Sequence, residues 1–525
     1  MTGLGQYAAI LWRSHRRQYL IWTLSLIAAF AATAGSVANL YKTPAQIASY
    51  GEAILSDALV AINGRVEGLD TLGGIIQDEF SFLATLLMPL VGIALVAATT
   101  RGEEDSGRLE AVLAGRIDRR APVVAALLLL LGVVAVLIVG FTISLLAVRI
   151  EFTDALLYAL SLGLVTVVFG TLAALCTQVV LHSREIYFLG FGFLALAYAL
   201  RGIGDVTETF WVWLSPLGWL ERTAPFAAHS SWWVLVIPVL VSALIAGAAL
   251  VLAWRRDLGA AAYRPGPGPT AASRSLVDPI GLAVTNQRGS FLGWMAGGVG
   301  LGAMMGALAR QAADAMLSNE MLREPMGITR SNAADLFLAY VQLYLTLIAC
   351  GYVVQSLSTL RREESEGRLE TLLAGARSRS RWLAAQLVVV LVGLVILIAA
   401  SALTFAAAAA LTTGESRYFG VLIGAGFAYL PAVLVITALV LALYAAAPRA
   451  FAAAWVGFGL ITALSLLGVA LQLPQWVLDL SPLTHVGQVP AEAADRAALV
   501  VLFGLAVLVA VFGFVAFGRR QIPKA

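Results

Sequence analysis

The sequence predicts an all-α polytopic membrane protein, with twelve transmembrane helices arranged as two parallel six-helix repeats, and three observations predict it. The chain is 60% hydrophobic and has a mean hydropathy of +0.87 over 525 residues, more apolar material than a water-soluble globule can enclose. That material is gathered into runs of about 20 residues or more, the length that carries a helix across about 30 Å of hydrocarbon at 1.5 Å per residue. The pattern is also written twice. RGEEDSGRLEAVLAGR at 101–116 is echoed by RREESEGRLETLLAG at 361–375, with nine identities in the thirteen positions from Glu103 to Gly115.

The first span falls near 18–40. Ahead of it, MTGLGQYAAILWRSHRRQY places Leu4, Tyr7 or Ala8, and Leu11 at helical spacing before Arg13, Arg16 and Arg17, which predicts an amphipathic helix lying in the membrane interface. Basic residues before an apolar stretch also suggest a signal peptide, but RRQYLIW at 16–22 has a counterpart, RGSFLGW at 288–294, deep inside the chain, where cleavage would have no purpose. Further spans follow near 80–100, 121–148, 153–181, 185–201 and 232–254. Residues 201–231 are too polar to span and too apolar for a free loop, and Trp211, Trp213 and Trp219 suit a membrane interface.

A first half, 1–256, is joined to a second, 278–525, by a Pro- and Gly-rich linker, 257–277, without apolar period. DPIGLAVTNQRG opens the second half, with Asp278 as N-cap and Pro279 in the first turn. Its spans fall near 290–312, 335–358, 381–411, 420–447, 450–472 and 497–517, and residues 472–496 repeat the polar-apolar mixture of 201–231. WLSPLGW at 213–219 matches DLSPLTH at 479–485, and Arg255-Arg256 answers Arg519-Arg520, so duplication is the economical explanation. Pro89 and Pro431 are places where a spanning helix would kink, and Pro216 and Pro482 mark turns.

With the N-terminus inside, 24 of the 34 basic residues fall in segments on the inner face. This asymmetry predicts that both termini, the linker and both charged cassettes are cytoplasmic. Cassettes facing the same way make the halves parallel repeats, which requires an even number of spans in each. Lys42 and Lys524 are the only lysines, an arginine bias that suggests a GC-rich bacterial genome. Cys176 and Cys350 lie in apolar runs of different halves, so they are packing residues and not a disulfide or metal framework. A net charge of +3 in such a chain carries no signal for nucleic acid.

Written as one helix, each cassette places Leu109, Val112 and Leu113, or Leu369, Leu372 and Leu373, on a single face, with Glu103 and Glu104 at its start and Gly115 and Gly375 as terminators. A sequence-neutral spacer has no reason to keep nine of thirteen positions, so each copy is expected to meet an equivalent surface, and two equivalent surfaces imply a symmetric partner. The chain has no Gly-Lys-Ser/Thr phosphate loop, since its lysines follow Tyr41 and Pro523. Ion-driven carriers hold ionisable groups inside the membrane. Here Arg149, Glu151, Glu185, Arg201, Arg310 and Asp335 fall at span ends, as do His15, His182, His229 and His485, leaving Gln178, Gln342 and Gln355 as interior polar residues. The energy source is expected elsewhere.

EExxGRLExxLAG after the second span of each half resembles the coupling-helix region of ABC type-2 exporter permeases. The fused twelve-span form resembles the bacterial permeases of polyketide antibiotic or multidrug export, and the resemblance covers nearly the whole chain. It implies a plasma-membrane permease without its own ATPase site, served by two copies of a separate ATP-binding subunit. This chain itself would bind no cofactor, with ATP and Mg held on the partner, and its cargo would be hydrophobic small molecules. Carried over, the coupling residues are Glu103, Glu104, Gly107, Arg108, Leu109, Glu110 and Leu113, with Glu363, Glu364, Gly367, Arg368, Leu369, Glu370 and Leu373. Their apolar side would seat in the ATPase groove and their charged side would pair with its rim. Asp105-Ser106 against Ser365-Glu366, and Arg116 against Ala376, depart from strict repetition and leave room for asymmetry.

The same analogy points to spans two and five for the substrate cavity, with Phe82, Met88, Phe191, Phe193, Tyr340, Tyr344, Trp455 and Phe458 as adaptable apolar and aromatic lining. It also implies short re-entrant helices in 201–231 and 472–496. The alternative reading is a twelve-span ion-coupled secondary transporter.

Overall fold

The computed structural model describes residues 3–54, 60, 63–113, 117–256, 261, 271, 273, 276, 278–318, 329, 332–374, 378–467 and 473–520. Among them every regular element is a helix. The chain divides into two compact units, Met1–Pro267 and Gly268–Ala525.

In the first unit, α1 (Leu4–Leu40) and a short helix, Pro44–Ile54, are followed by α2 (Leu72–Thr99), the short α3 (Arg101–Asp105) and α4 (Arg108–Leu113), then α5 (Ala121–Ala147), α6 (Phe152–Val179), α7 (Ser183–Val206), α8 (Pro216–Arg222) and α9 (Val236–Arg255). Helices α2 and α6 are the most deeply buried. α6 packs on α2, α5 and α9, and α1 lies along α5. The α2–α6 crossing is close because Gly92 lies in it: a Cβ there would stand 2.3 Å from the Thr166 carbonyl oxygen. Lipid tails are as apolar as leucine, so such backbone-to-backbone packing supplies attraction that hydrophobic burial cannot. Around it, Phe30 packs its ring 4.9 Å from Phe80 and 4.7 Å from Phe141, centroid to centroid.

The second unit contains α10 (Pro279–Ala307), α11 (Ala333–Ser365), α12 (Arg368–Ala374), α13 (Arg379–Thr413), α14 (Arg417–Ala428), α15 (Leu430–Ala446), α16 (Ala452–Leu467) and α17 (Arg496–Arg519). Asp278 caps α10 as expected, its carboxylate accepting from the Ile280 amide at 3.1 Å, with Pro279 in the first turn. Gly298, Gly302 and Gly306, one turn apart on α10, bring it onto α13: a Cβ on Gly306 would stand 2.6 Å from the Phe405 carbonyl oxygen. α15 packs on α11 and α17. In both units the outward faces are apolar too, with Leu128, Val139 and Ile143 of α5 and Val500, Leu508 and Phe512 of α17 exposed. Helices apolar all round are membrane helices.

Eleven described helices are long and apolar enough to cross a membrane. The remaining expected segment, 450–472, forms the shorter α16, and 468–472 lie outside the described residues. α14 and α15 count as one crossing, interrupted at Tyr429 just before Pro431, which lacks an amide hydrogen. Pro89, by contrast, lies inside the continuous α2.

Two expectations are corrected. No separate interfacial helix precedes the first span, because α1 runs unbroken for 37 residues, a length of about 55 Å. Nothing between Gly5 and Gly35 is a glycine or proline that would stop it. Trp219 is not an interfacial anchor but a core residue, its indole N–H donating to the Trp213 carbonyl at 2.7 Å. Within 201–231 the chain forms the short helical turn Phe210–Leu214 and α8, which Pro216 opens.

Candidate functional site

The charged cassette is not one helix. α2 is prolonged by α3, and α11 runs on through Ser365. The chain then breaks at Gly107 and Gly367, whose φ values of +74° and +72° lie in the left-handed region that glycine adopts freely. α4 and α12 start immediately after the break. Glu103 and Glu104 therefore stand at the C-terminal end of the long helix and not at the start of the coupling helix, which corrects the charge order read from the sequence. Carboxylates there oppose the helix dipole, so they need cations. Each has them.

Glu103 and Glu363 staple the turn. Arg108 donates to Glu103 through Nε and Nη2, both at 2.8 Å, and Arg368 forks onto Glu363 in the same way, with Nη2 at 2.8 Å. The planar guanidinium spans the glycine and fixes the angle between the two helices. In the first unit His15 of α1 adds a further bond to Glu103 at 2.7 Å. Glu104 and Glu364 point the other way, into the unit. Arg101 meets Glu104 at 2.8 Å and Arg256 meets it at 3.0 Å. Arg520 and Arg361 hold Glu364 in the second unit. Leu109 plugs the elbow against Tyr7, Leu11 and Ala125, and Leu369 is wholly buried in the second unit's core.

Of the carried-over coupling residues, Glu103, Leu109, Glu364 and Leu369 are thus buried within this chain, and the side chains of Glu104 and Glu363 are largely covered. Arg108, Glu110 and Arg368 present surface, Gly107 is open, and Gly367, Glu370 and Leu373 are half-buried. Leu113 ends α4, but its side chain, like Gly115, Arg116, Gly375 and Ala376, lies outside what is described. Asp105, Arg362 and Glu366 are outward-facing neighbours. Beside the first elbow is a cavity of about 350 Å³ lined by Arg101, Glu104, Glu110, Arg119, Gln178 and Arg256 among others. Its lining mixes these groups with Leu109, Ile117, Pro122, Val123 and Ala253.

Comparison with known proteins decides the family. The multidrug efflux system permease protein Rv1217c of Mycobacterium tuberculosis (strain ATCC 25618 / H37Rv) is 31% identical over 519 residues, covering 97% of this chain and 93% of the relative. The chain belongs to the Rv1217c permease family. The family model for the C-terminal domain of multidrug efflux system permease Rv1217c matches residues 276–518, from just before α10 almost to the end of α17. As a member of the Rv1217c family, this is a multi-pass membrane permease, not an enzyme.

For the cavity residues of this permease the structure gives a mixed answer. Phe82 of α2 and Phe191 and Phe193 of α7 stand on the surface of the first unit, on two helices that pack together. Tyr340 and Tyr344, one turn apart on α11, and Trp455 on α16 are exposed in the second. Trp455 and Phe458 form an edge-to-face pair at 6.2 Å. Met88 is corrected: it is fully buried in the first unit's core, because it lies on the face of α2 opposite the Phe82–Leu86 stripe.

The ionisable groups near the span ends include a buried cluster that the sequence reading did not foresee. Asp78, six residues inside α2, is buried, accepting from Tyr50 at 2.8 Å and from the Asn63 amide at 3.3 Å. The Asn63 carbonyl accepts from Arg201, which is fully buried and pairs with Glu221 of α8 at 3.2 Å. Arg222 reaches the buried Asp205 at 3.5 Å. This network occupies the end of α2 remote from the elbow. Sequence position alone could not reveal it, because helix ends that look peripheral are roofed by α8 and its flanking turns.

Glu221 lies outside the spanning helices. Burial pushes its carboxyl well above the ordinary carboxylate range, with Arg201 opposing and Asp205 reinforcing the shift. A raised native value means the folded state binds the proton more tightly. Stability from this group is complete below the ordinary value of about 4.3 and is lost as pH rises through the native value. The melting temperature of detergent-purified protein is therefore expected to fall on the alkaline side of that range. Glu221→Gln, which keeps the shape and cannot ionise, should flatten the slope in a pH series of melting curves.

Proposed function

We propose that this chain is the membrane permease of an ATP-driven ABC type-2 exporter in a bacterial plasma membrane, with both termini and both elbows cytoplasmic. Two copies of a separate ATP-binding subunit, carrying ATP and Mg, engage the elbows, one each, and their closure drives hydrophobic or amphipathic compounds such as drugs or antibiotics outward. The observation that carries this reading is the near full-length kinship to a multidrug efflux system permease, in a chain whose two units each present the same stapled elbow. On this reading Arg108, Glu110, Arg368 and Glu370, with Asp105 and Glu366 beside them, meet the partner, while Glu103, Glu104, Glu363 and Glu364 hold the elbow in shape behind them. Exposed aromatic side chains on α2, α7, α11 and α16 supply the adaptable surface for cargo.

A second reading, ion-coupled transport, draws support from buried Asp78 and its neighbours, since intramembrane carboxylates commonly serve proton or sodium relays. One experiment separates the two. Reconstituted alone, the chain should neither hydrolyse ATP nor take up a fluorescent amphipathic dye under a proton or sodium gradient. Adding the ATP-binding subunit and MgATP should start transport. Gradient-driven flux without the subunit would favour the second reading and overturn the first.

A further inference from the structure

In each unit a single buried carboxylate gathers three helix ends. In the first unit Glu104, in the continuation of α2, is gripped by Arg101 of its own elbow and by Arg256, which caps the C-terminus of α9. The same two arginines donate to the Thr177 carbonyl in the last turn of α6, Arg101 at 2.8 Å and Arg256 at 3.4 Å. In the second unit Glu364, near the end of α11, is gripped by Arg361 and by Arg520, which caps α17. Arg520 donates to the Tyr444 carbonyl in the last turn of α15 at 2.8 Å and lies 5.4 Å over the Tyr444 ring. Cations on carbonyls at helix C-termini are favoured by the dipole, so Arg101, Arg256 and Arg520 each serve a helix end and a carboxylate together. The two constructions use different sequence around the accepting carbonyl, yet in both the arginine that caps the last helix of the unit bridges that carbonyl and the carboxylate.

We propose that Glu104 and Glu364 are positioning residues for transport: each pins its elbow to two other helices of its unit, α6 and α9 in the first and α15 and α17 in the second, so that elbow movement reaches those helices as rigid-body motion. This rests on the reading that the elbows receive movement from an ATP-binding subunit. The chemistry suits a pin. A doubly gripped, desolvated carboxylate resists separation from either cation, whereas each staple has one exposed partner, Arg108 or Arg368, and is more readily screened. Arg101 is fully buried while Arg361 is about a third exposed, so the first pin is the stiffer and its loss should have the larger effect.

The test uses the full chain with its ATP-binding subunit in proteoliposomes, reading both dye transport and ATP hydrolysis. In Glu104→Gln/Glu364→Gln, copurification of the subunit and basal hydrolysis should persist, while dye moved per ATP falls by roughly tenfold or more, within the range of intramolecular coupling energies. Arg256→Lys/Arg520→Lys, which keeps the charge but cannot fork, should fall between. A merely structural role would lower transport and hydrolysis together and leave their ratio unchanged, and that outcome overturns the proposal. Should the variants fail to fold, spin labels at the exposed Ser106 and Arg255, with Glu104, Arg256 and the Arg108 staple intact, answer the same question. Their separation should stay constant between nucleotide-free and vanadate-trapped states, and a change would show that elbow and helix end move independently. Wild-type protein without any ATP-dependent transport would instead overturn the exporter reading, and the pin with it.

Discussion

Replacing Arg201 with leucine will destabilise the purified protein by about 3–5 kcal/mol near neutral pH, the range seen when one partner of a buried ion pair is removed. Arg201 has no exposed surface, and its guanidinium joins Glu221, the Asn63 carbonyl and the face of the Tyr198 ring, 4.4 Å away. Without it, Asp205 and Glu221 remain buried together, with Arg222 as the cation still paired to Asp205. Leucine fills most of the volume, so the loss reports charge and not a cavity. Thermal unfolding followed by the reactivity of the buried Cys176 thiol provides the measurement. Adding Glu221→Gln to Arg201→Leu should recover part of the loss. A single variant as stable as the parent would mean that water reaches this cluster.

The second large effect is expected at the elbow surface. Reversing charge at Glu110 and Glu370 together, to arginine, should leave the protein folded, because Glu110 is exposed and Glu370 is half-buried at the start of a short helix. Substrate-stimulated ATP hydrolysis by the complex should nevertheless drop by roughly tenfold or more, a change of about 1.4 kcal/mol in coupling. The comparison variant is Glu103→Gln/Glu363→Gln, in which staples inside the elbow are weakened but the outer surface keeps its charge. If the reversed protein stimulates hydrolysis normally, the outer faces of α4 and α12 are not where the partner docks.

Much of the site was legible because membrane segments have so little polar material. A cassette repeated 260 positions apart stood out against the apolar spans, and aligning the halves already matched Arg256 with Arg520. What that match did for the fold was not legible. The sequence places Arg256 152 positions from Glu104, and nothing in spacing or periodicity says that the two meet. The helical reading of the cassette failed for a related reason. Leucine spacing fits a helix through Glu103–Leu113, but glycine at 107 and the Glu103–Arg108 staple make a left-handed turn cheaper than helix continuation, and turning also buries Leu109. The interfacial helix at the N-terminus was overestimated because amphipathic spacing cannot distinguish a membrane surface from the flank of α5 and the elbow.

By itself, the sequence determined that this chain is a bundle of membrane-spanning helices, with a charged motif after the second long helix of each half. Those properties depend on composition and local order: apolar runs must leave water, and their backbone must bond to itself to do so. Only the tertiary structure decided which charges face inward. The motif's carboxylates are divided between staples on the turn and pins beneath it, and Asp78, Arg201, Asp205 and Glu221 are assembled from residues far apart in sequence. A charge in a low-dielectric interior is tolerated only where its partners converge, and convergence is a property of the packed helices, not of neighbouring residues.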